Sequence, residues 1–105
     1  MSIPTDANRE LLTVVATMRA KPGKEDEVLA MLTDVIEPTL AEAGCHTYAL
    51  HQGVADPTVF VFYENWTSKD HLDKHLASGH IANGLAGLSA LLDGTADIQT
   101  LRRAG

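Results

Sequence analysis

Residues 64 to 80 read Glu-Asn-Trp-Thr-Ser-Lys-Asp-His-Leu-Asp-Lys-His-Leu-Ala-Ser-Gly-His. This stretch predicts the end of a strand followed by an amphipathic helix. Residues 59 to 66 are rich in β-branched and aromatic side chains, which is typical of a strand. Thr67 or Ser68 is expected to cap the helix that follows, because a hydroxyl oxygen can accept from an N–H of the first turn. The junction should therefore gather a carboxylate, an indole and three imidazoles: Glu64, Trp66, His71, His75 and His80.

The residues before this junction predict a strand, a helix and a second strand. Residues 9 to 20 alternate with a period of two, which predicts the first strand. From Glu25 the apolar period lengthens to three and four, which is typical of a helix lying on a core. Pro38 should kink or end that helix near Glu37, and Gly44 should stop it. The predicted apolar stripe of the helix comprises Val28, Leu32, Val35, Ile36 and Leu40.

The remaining segments complete the pattern. Residues 45 to 54 predict a second strand, which a turn at 55 to 57 should join to the third as a hairpin. A second helical stripe follows Gly79, where Gly84 and Gly87 indicate close packing or a bend. Residues 96 to 101 predict a short final strand. The apolar positions of this second stripe are Ile81, Leu85, Leu88 and Leu92.

This order predicts an α+β fold of the ferredoxin-like kind. It is a split β-α-β arrangement, with a four-stranded antiparallel sheet and helices on one face. A length of 105 residues predicts a single domain over 1 to 105, with residues 1 to 8 as a flexible N-terminal segment. The other face of the sheet still carries apolar residues, and a large exposed apolar patch usually marks a contact surface. We therefore expect a homodimer, in which two sheets pack face to face as a dimeric α+β barrel.

Charge and composition narrow the possible partners. The net charge is -6, which disfavours nucleic acid and anionic membranes as partners. No apolar run reaches the roughly 18 residues that a membrane helix needs. A single cysteine, Cys45, excludes an internal disulfide and fits a reducing compartment, so a cytoplasmic location is expected.

Four short motifs stand out, at residues 18 to 24, 44 to 48, 64 to 66 and 75 to 80. Together they resemble the antibiotic-biosynthesis monooxygenase family of dimeric α+β barrels. The resemblance runs from about Leu11 to Leu101, and the stretches at 38 to 49 and 64 to 80 look most like bacterial quinol monooxygenases. It implies an oxygenase of small aromatic polyols such as quinols that uses molecular oxygen and needs no cofactor or metal.

Such a reaction requires the protein to form and hold a phenolate, because this electron-rich anion can pass an electron to oxygen without flavin or metal. A histidine with a pKa near 6.5 can accept the phenolic proton at neutral pH. We expect His75 and Trp66 to be catalytic. The expected substrate-binding residues are Tyr48, Phe62, Glu64 and His80.

Other interpretations remain open. His75 and His80 also resemble the pair of relatives that isomerise a small sugar-derived metabolite, and a non-catalytic dimeric module that binds a small molecule is a third possibility. His71 and His75 have the spacing of metal ligands, but the sequence shows no further ligands beside them, so no metal is expected. Haem-degrading relatives carry Asn, Trp and His where an approximate alignment places Ala16, His75 and Leu85, which disfavours haem degradation.

Overall fold

The computed structural model describes residues 10 to 105, so the segment at 1 to 8 that was predicted to be flexible lies outside the described residues. Neighbouring strands pair antiparallel throughout, which confirms the predicted ferredoxin-like α+β sheet. Its order is β2-β3-β1-β4, and the elements follow along the chain as β1 (Leu12–Arg19), α1 (Glu25–Asp34), α2 (Ile36–Leu40), β2 (Cys45–Gln52), β3 (Val59–Trp66), α3 (Lys69–Leu76), α4 (Gly79–Gly84), α5 (Leu88–Leu91) and β4 (Asp97–Arg102).

The strand predictions hold with small changes at the ends. The third strand has the predicted bounds, whereas β2 ends at Gln52, because the backbone N–H of Gly53 bonds to Val59 and closes the hairpin there. The last strand begins and ends one residue later than predicted. The first strand runs from Leu12 to Arg19, and Arg9, where the prediction began, lies outside the described residues.

One face of the sheet packs against the helices and forms the core. Successive strand residues point to opposite faces, so the alternation in β1 and β3 places every second side chain in that core. The helices cover this face alone, with Val28, Leu32 and Leu72 buried against it. The buried strand residues of this face are Val14, Ala16, Met18, Tyr48, Phe60, Phe62, Glu64 and Trp66.

Pro38 interrupts the first helical region earlier than the sequence predicted. The helix ends at Asp34 rather than near Glu37, and a short second helix begins at Ile36. A proline ring clashes with the carbonyl four residues earlier, which here belongs to Asp34. The break changes the phase of the second helix, so Thr39 is fully buried and Leu40, predicted in the apolar stripe, is 50% exposed.

The second helical region, residues 69 to 91, consists of three short helices, and the stripe predicted after Gly79 is divided between the last two of them. Gly87 has φ +82, a left-handed conformation that favours glycine and separates α4 from α5. Gly84 packs so closely on α1 that an added Cβ would lie 2.6 Å from Cγ1 of Val35, which confirms the predicted close approach. Within residues 10 to 105, no helix is long and apolar enough to cross a membrane.

Candidate active site

Glu64 and Trp66 lie on the buried face of β3, two residues apart. The indole N–H of Trp66 donates to Oε1 of Glu64 over 2.8 Å, and both side chains are almost fully buried. Burial raises the pKa of Glu64 to about 7, because a carboxylate loses its hydration there; the indole bond opposes the shift and the charge of Glu42 adds to it. Glu64 is therefore a carboxyl group that takes up or releases a proton near neutral pH.

His75 approaches this pair from α3. The helix begins at Ser68, whose hydroxyl accepts from the N–H of His71, so one of the two predicted caps is confirmed. Two turns later the ring of His75 lies 4.7 Å from that of Trp66, and the residue is only 3% exposed. Burial lowers the pKa of His75, and the hydrogen bond and charge of Glu42 partly oppose this. The neutral imidazole is thus favoured at neutral pH.

Glu42 is a residue of the candidate site that the sequence did not reveal. It lies in the loop between α2 and β2, and its Oε2 is 2.6 Å from Nδ1 of His75 and 3.0 Å from Nε2 of His80. The carboxylate accepts the Nδ1–H of His75, which leaves Nε2 of that ring as its free nitrogen. The sequence carries no signal for this contact, because Glu42 stands 33 residues before His75. Glu42 lies in the stretch at 38 to 49 that resembles quinol monooxygenases, but that resemblance did not single it out.

The same three side chains are the described residues that come nearest to a metal site. One ligand atom each from Glu42, His75 and His80 lies within 4.8 Å of the others. Ligand atoms about 2.0 Å from a tetrahedral zinc lie about 3.3 Å apart. The two contacts to Oε2, at 2.6 and 3.0 Å, are shorter and have the length of charge-assisted hydrogen bonds. The arrangement therefore fits a hydrogen-bonded network better than a metal site.

A cavity of about 130 Å³ opens between the sheet and the second helical region, and His75 forms part of its wall. Tyr48 and Phe62, whose rings stack 4.4 Å apart, form the aromatic side of the cavity, and their role in substrate binding stays a prediction. Three of its lining residues are ionisable: Tyr48, Glu64 and His75. The full set of lining residues is Ala16, Met18, Leu32, Tyr48, Phe62, Glu64, His75, Leu76, Ile81, Leu85, Leu88, Ala96 and Ile98.

Two predicted site residues do not reach this cavity. Trp66 is fully buried against His75 and Glu64 and is not among the residues that line the cavity. His80 faces the loop instead, where it contacts Glu42 and lies 3.3 Å from the hydroxyl of Thr39. The catalytic role of Trp66 and the substrate-binding role of His80 therefore stay predictions; neither side chain lines this cavity, although Trp66 contacts His75 and Glu64, and His80 contacts Glu42.

The other histidines lie apart from the cluster. Nδ1 of His71 is 2.8 Å from the hydroxyl of Ser68, and its ring packs on Gly44, so it does not join His75 as a metal ligand. His46 and His51 are exposed.

Comparison with known proteins assigns this chain to a family. The family model described as antibiotic biosynthesis monooxygenase matches residues 11 to 86, and the chain belongs to that family. The resemblance inferred from the motifs is thereby confirmed.

Individual relatives agree with this assignment. "Probable quinol monooxygenase YgiN" of Escherichia coli is 34% identical over 82 residues, which cover 68% of this chain and 78% of that protein. Rv0793 of Mycobacterium tuberculosis is 35% identical over 81 residues, 77% of this chain and 79% of that protein. Its solved structure matches with a TM-score of 0.84 at 28% identity, over 90% of this chain and 96% of that chain.

A relative from Synechocystis differs in length. It is 31% identical over 64 residues, which cover 61% of this chain, but the match spans only 44% of that protein.

Proposed function

We propose that the protein is a cofactor-independent monooxygenase that oxidises a small aromatic polyol such as a quinol. The observation that carries the proposal is that His75 lies in the wall of an apolar cavity and is hydrogen-bonded through Nδ1 to Glu42, which lies outside the cavity. Membership of a monooxygenase family supports it, and the name of the relative YgiN favours quinols as the substrate class.

His75 acts as the base in this proposal. Glu42 holds the proton on Nδ1, so Nε2 is left unprotonated and able to accept a phenolic proton from a molecule in the cavity. The lowered pKa of His75 keeps the ring neutral at pH 7, ready for that step. Trp66 packs on the ring and bonds to Glu64, and so holds both groups in place without touching the substrate.

The ionised substrate then reacts with oxygen. The phenolate passes one electron to oxygen, the two radicals combine at a ring carbon, and loss of water gives a hydroxylated quinone. Overall, one quinol and one oxygen molecule give one hydroxyquinone and one water, so no external reductant is needed. An apolar wall of Phe62, Leu85 and Leu88 limits the access of water to the reactive species.

The size and lining of the cavity support a single-ring substrate. Its volume of about 130 Å³ is close to the roughly 150 Å³ of an engineered cavity that binds benzene. Glu64, with a pKa of about 7, can donate a hydrogen bond to a second hydroxyl of the substrate when it is protonated. No Lys or Arg lines the cavity among the described residues, which disfavours the isomerase alternative if its substrate carries phosphate.

We include a homodimer and a cytoplasmic location in the proposal. On the face of the sheet opposite the helices, Tyr63 and Leu101 are each 43% exposed. Val15, the partner of Tyr63 on β1, and Val61, two residues before Tyr63 on β3, are half-buried on the same face. A second copy of this sheet would cover these apolar residues. The single thiol, Cys45, is free, as in a reducing compartment.

Oxygen uptake tests the proposal. The purified protein, treated with a chelator, should consume oxygen with at least one member of a panel of quinols and catechols, and His75→Ala should lower the rate by about 100-fold. Lys74→Ala is the matched control, since Lys74 is an exposed residue of the same helix as His75. If no substrate raises oxygen uptake above the buffer rate, the proposal is wrong; turnover without oxygen would favour the isomerase, and binding without turnover the binding module.

A further inference from the structure

A continuous set of polar contacts runs from the cavity to the surface. Oε2 of Glu42 contacts both imidazoles, Nδ1 of His75 at 2.6 Å and Nε2 of His80 at 3.0 Å. The exposure of the three side chains rises in that order, from 4% for His75 to 17% for Glu42 and 26% for His80. The buried ring is therefore linked to solvent through one carboxylate and one half-exposed ring.

We infer that Glu42 and His80 carry protons between His75 and solvent. The inference rests on the proposed function for the source of the proton, which is the hydroxyl of the substrate. Neither residue lines the cavity, so both act through His75.

The transfers balance at each link. The path requires the tautomer of His80 that carries its proton on Nδ1, so that Nε2 can accept. When Nε2 of His75 accepts the proton of the substrate, the proton on Nδ1 of His75 passes to Oε2 of Glu42, and from there to Nε2 of His80. The other nitrogen of that ring then releases a proton to water. The return path supplies a proton to Nδ1 when His75 gives its Nε2 proton to the reduced oxygen that leaves as water. Each ring therefore ends the cycle with the protons it had at the start.

A purely structural role for His80 gives different expectations. In that case the ring would serve only to tie the loop of Glu42 to α4, with the hydroxyls of Thr39 and Ser78 at 3.3 and 3.4 Å as further contacts of Nε2. Glutamine at this position can keep a hydrogen bond to Glu42, but its amide does not pass protons. His80→Gln therefore preserves a structural contact and interrupts a proton path.

The first experiment needs no turnover. In protein labelled with ¹⁵N-histidine, NMR measures how fast the Nδ1–H proton of His75 exchanges with water. We expect His80→Ala and His80→Gln each to slow this exchange by about 10-fold or more, and added imidazole to restore it in His80→Ala, where the vacated site is open to solvent. His51→Ala should leave the rate unchanged, and circular dichroism confirms that each variant is folded.

The opposite results overturn the inference. Exchange at the wild-type rate in both His80 variants would show that His75 reaches solvent by another route. Wild-type exchange in His80→Gln, with slow exchange in His80→Ala, would show that the ring has a structural role only.

Oxygen uptake with a quinol then tests the path during turnover. His80→Ala and His80→Gln should lower kcat by about 10-fold with little change in KM, and imidazole should rescue the alanine variant alone. A wild-type protein that consumes no oxygen refutes the proposed function, while the exchange experiment still decides the proton path. Normal kcat in both variants of an active enzyme refutes the path and leaves the proposed function standing.

Discussion

Nδ1 of His75 and Oε2 of Glu42 meet at 2.6 Å inside the protein, although 33 residues separate them in the chain. One residue comes from a helix and the other from the loop before β2. The contact fixes the tautomer of the buried ring and directs its free nitrogen away from the carboxylate. It is the relationship on which the proposed chemistry depends.

Replacing Glu42 by Gln should change both rate and pH dependence. Glu42 raises the pKa of His75, so its loss lowers that pKa further. His75 acts as a base only when its ring is neutral, so kcat/KM should fall as the pH drops below the pKa of His75. Because this pKa is lower in the variant, the fall should occur at lower pH than in the wild type. At pH 7 the rate should drop by about 10-fold, because Nδ1–H is held less firmly. A pH–rate profile checks this with Glu37→Gln, an exposed site, as control; a fall displaced to higher pH would contradict it.

Glu64 should make the protein less stable as the pH rises. Its pKa is about 7 in the folded protein, against 4.5 for a glutamate side chain in water, so the folded state binds more protons between these pH values and stability falls through that window. The difference corresponds to about 3 kcal/mol at most.

Glu64→Gln keeps an acceptor for the indole and removes this effect. Its melting temperature should exceed that of the wild type at pH 8 and differ little at pH 4.5. Equal differences at both pH values would contradict the assignment.

Gly84 should tolerate no side chain. An added Cβ would lie 2.6 Å from Cγ1 of Val35, a β-branched side chain with little freedom to move. We expect Gly84→Ala to lower the free energy of unfolding by about 1–3 kcal/mol. Gly79→Ala is the matched control, because nothing lies within 4 Å of its added Cβ. Urea denaturation of both variants provides the measurement, and equal midpoints would refute the close packing.

Cys45 should react slowly with thiol reagents. Burial raises its pKa to about 11, and the charges of Glu42 and Glu64 add to the effect. At pH 8 the thiolate fraction should be on the order of 100-fold below that of a free cysteine. The rate of alkylation by iodoacetamide, measured in the native state and in denaturant, checks this; a native rate equal to the denatured one would be inconsistent with it.

The proposed dimer should depend on the outer face of the sheet. Tyr63→Lys places a charge among half-buried apolar residues and should shift the protein from dimer to monomer in sedimentation velocity. Val54→Lys, at a fully exposed position in the hairpin loop, should leave the wild-type mass unchanged. A Tyr63→Lys variant that remains dimeric would place the interface elsewhere.

The sequence by itself determined the order of elements, the bounds of β3 and the face on which each β1 side chain lies. These follow from local rules, since the period of two and the cap at Ser68 depend on residues near one another in the chain. The same rules placed Glu64 and His75 at one junction, and both side chains line the cavity.

Only the tertiary structure decided which groups touch. Pro38 broke the helix at Asp34 and buried Thr39 instead of Leu40, a change of phase that hydrophobic periodicity does not reveal. The loop before β2 brings Glu42 into contact with His75, and Trp66 at the end of β3 is fully buried and does not line the cavity. Such contacts join distant parts of the chain, so they depend on how the helices and strands pack together and not on the local sequence.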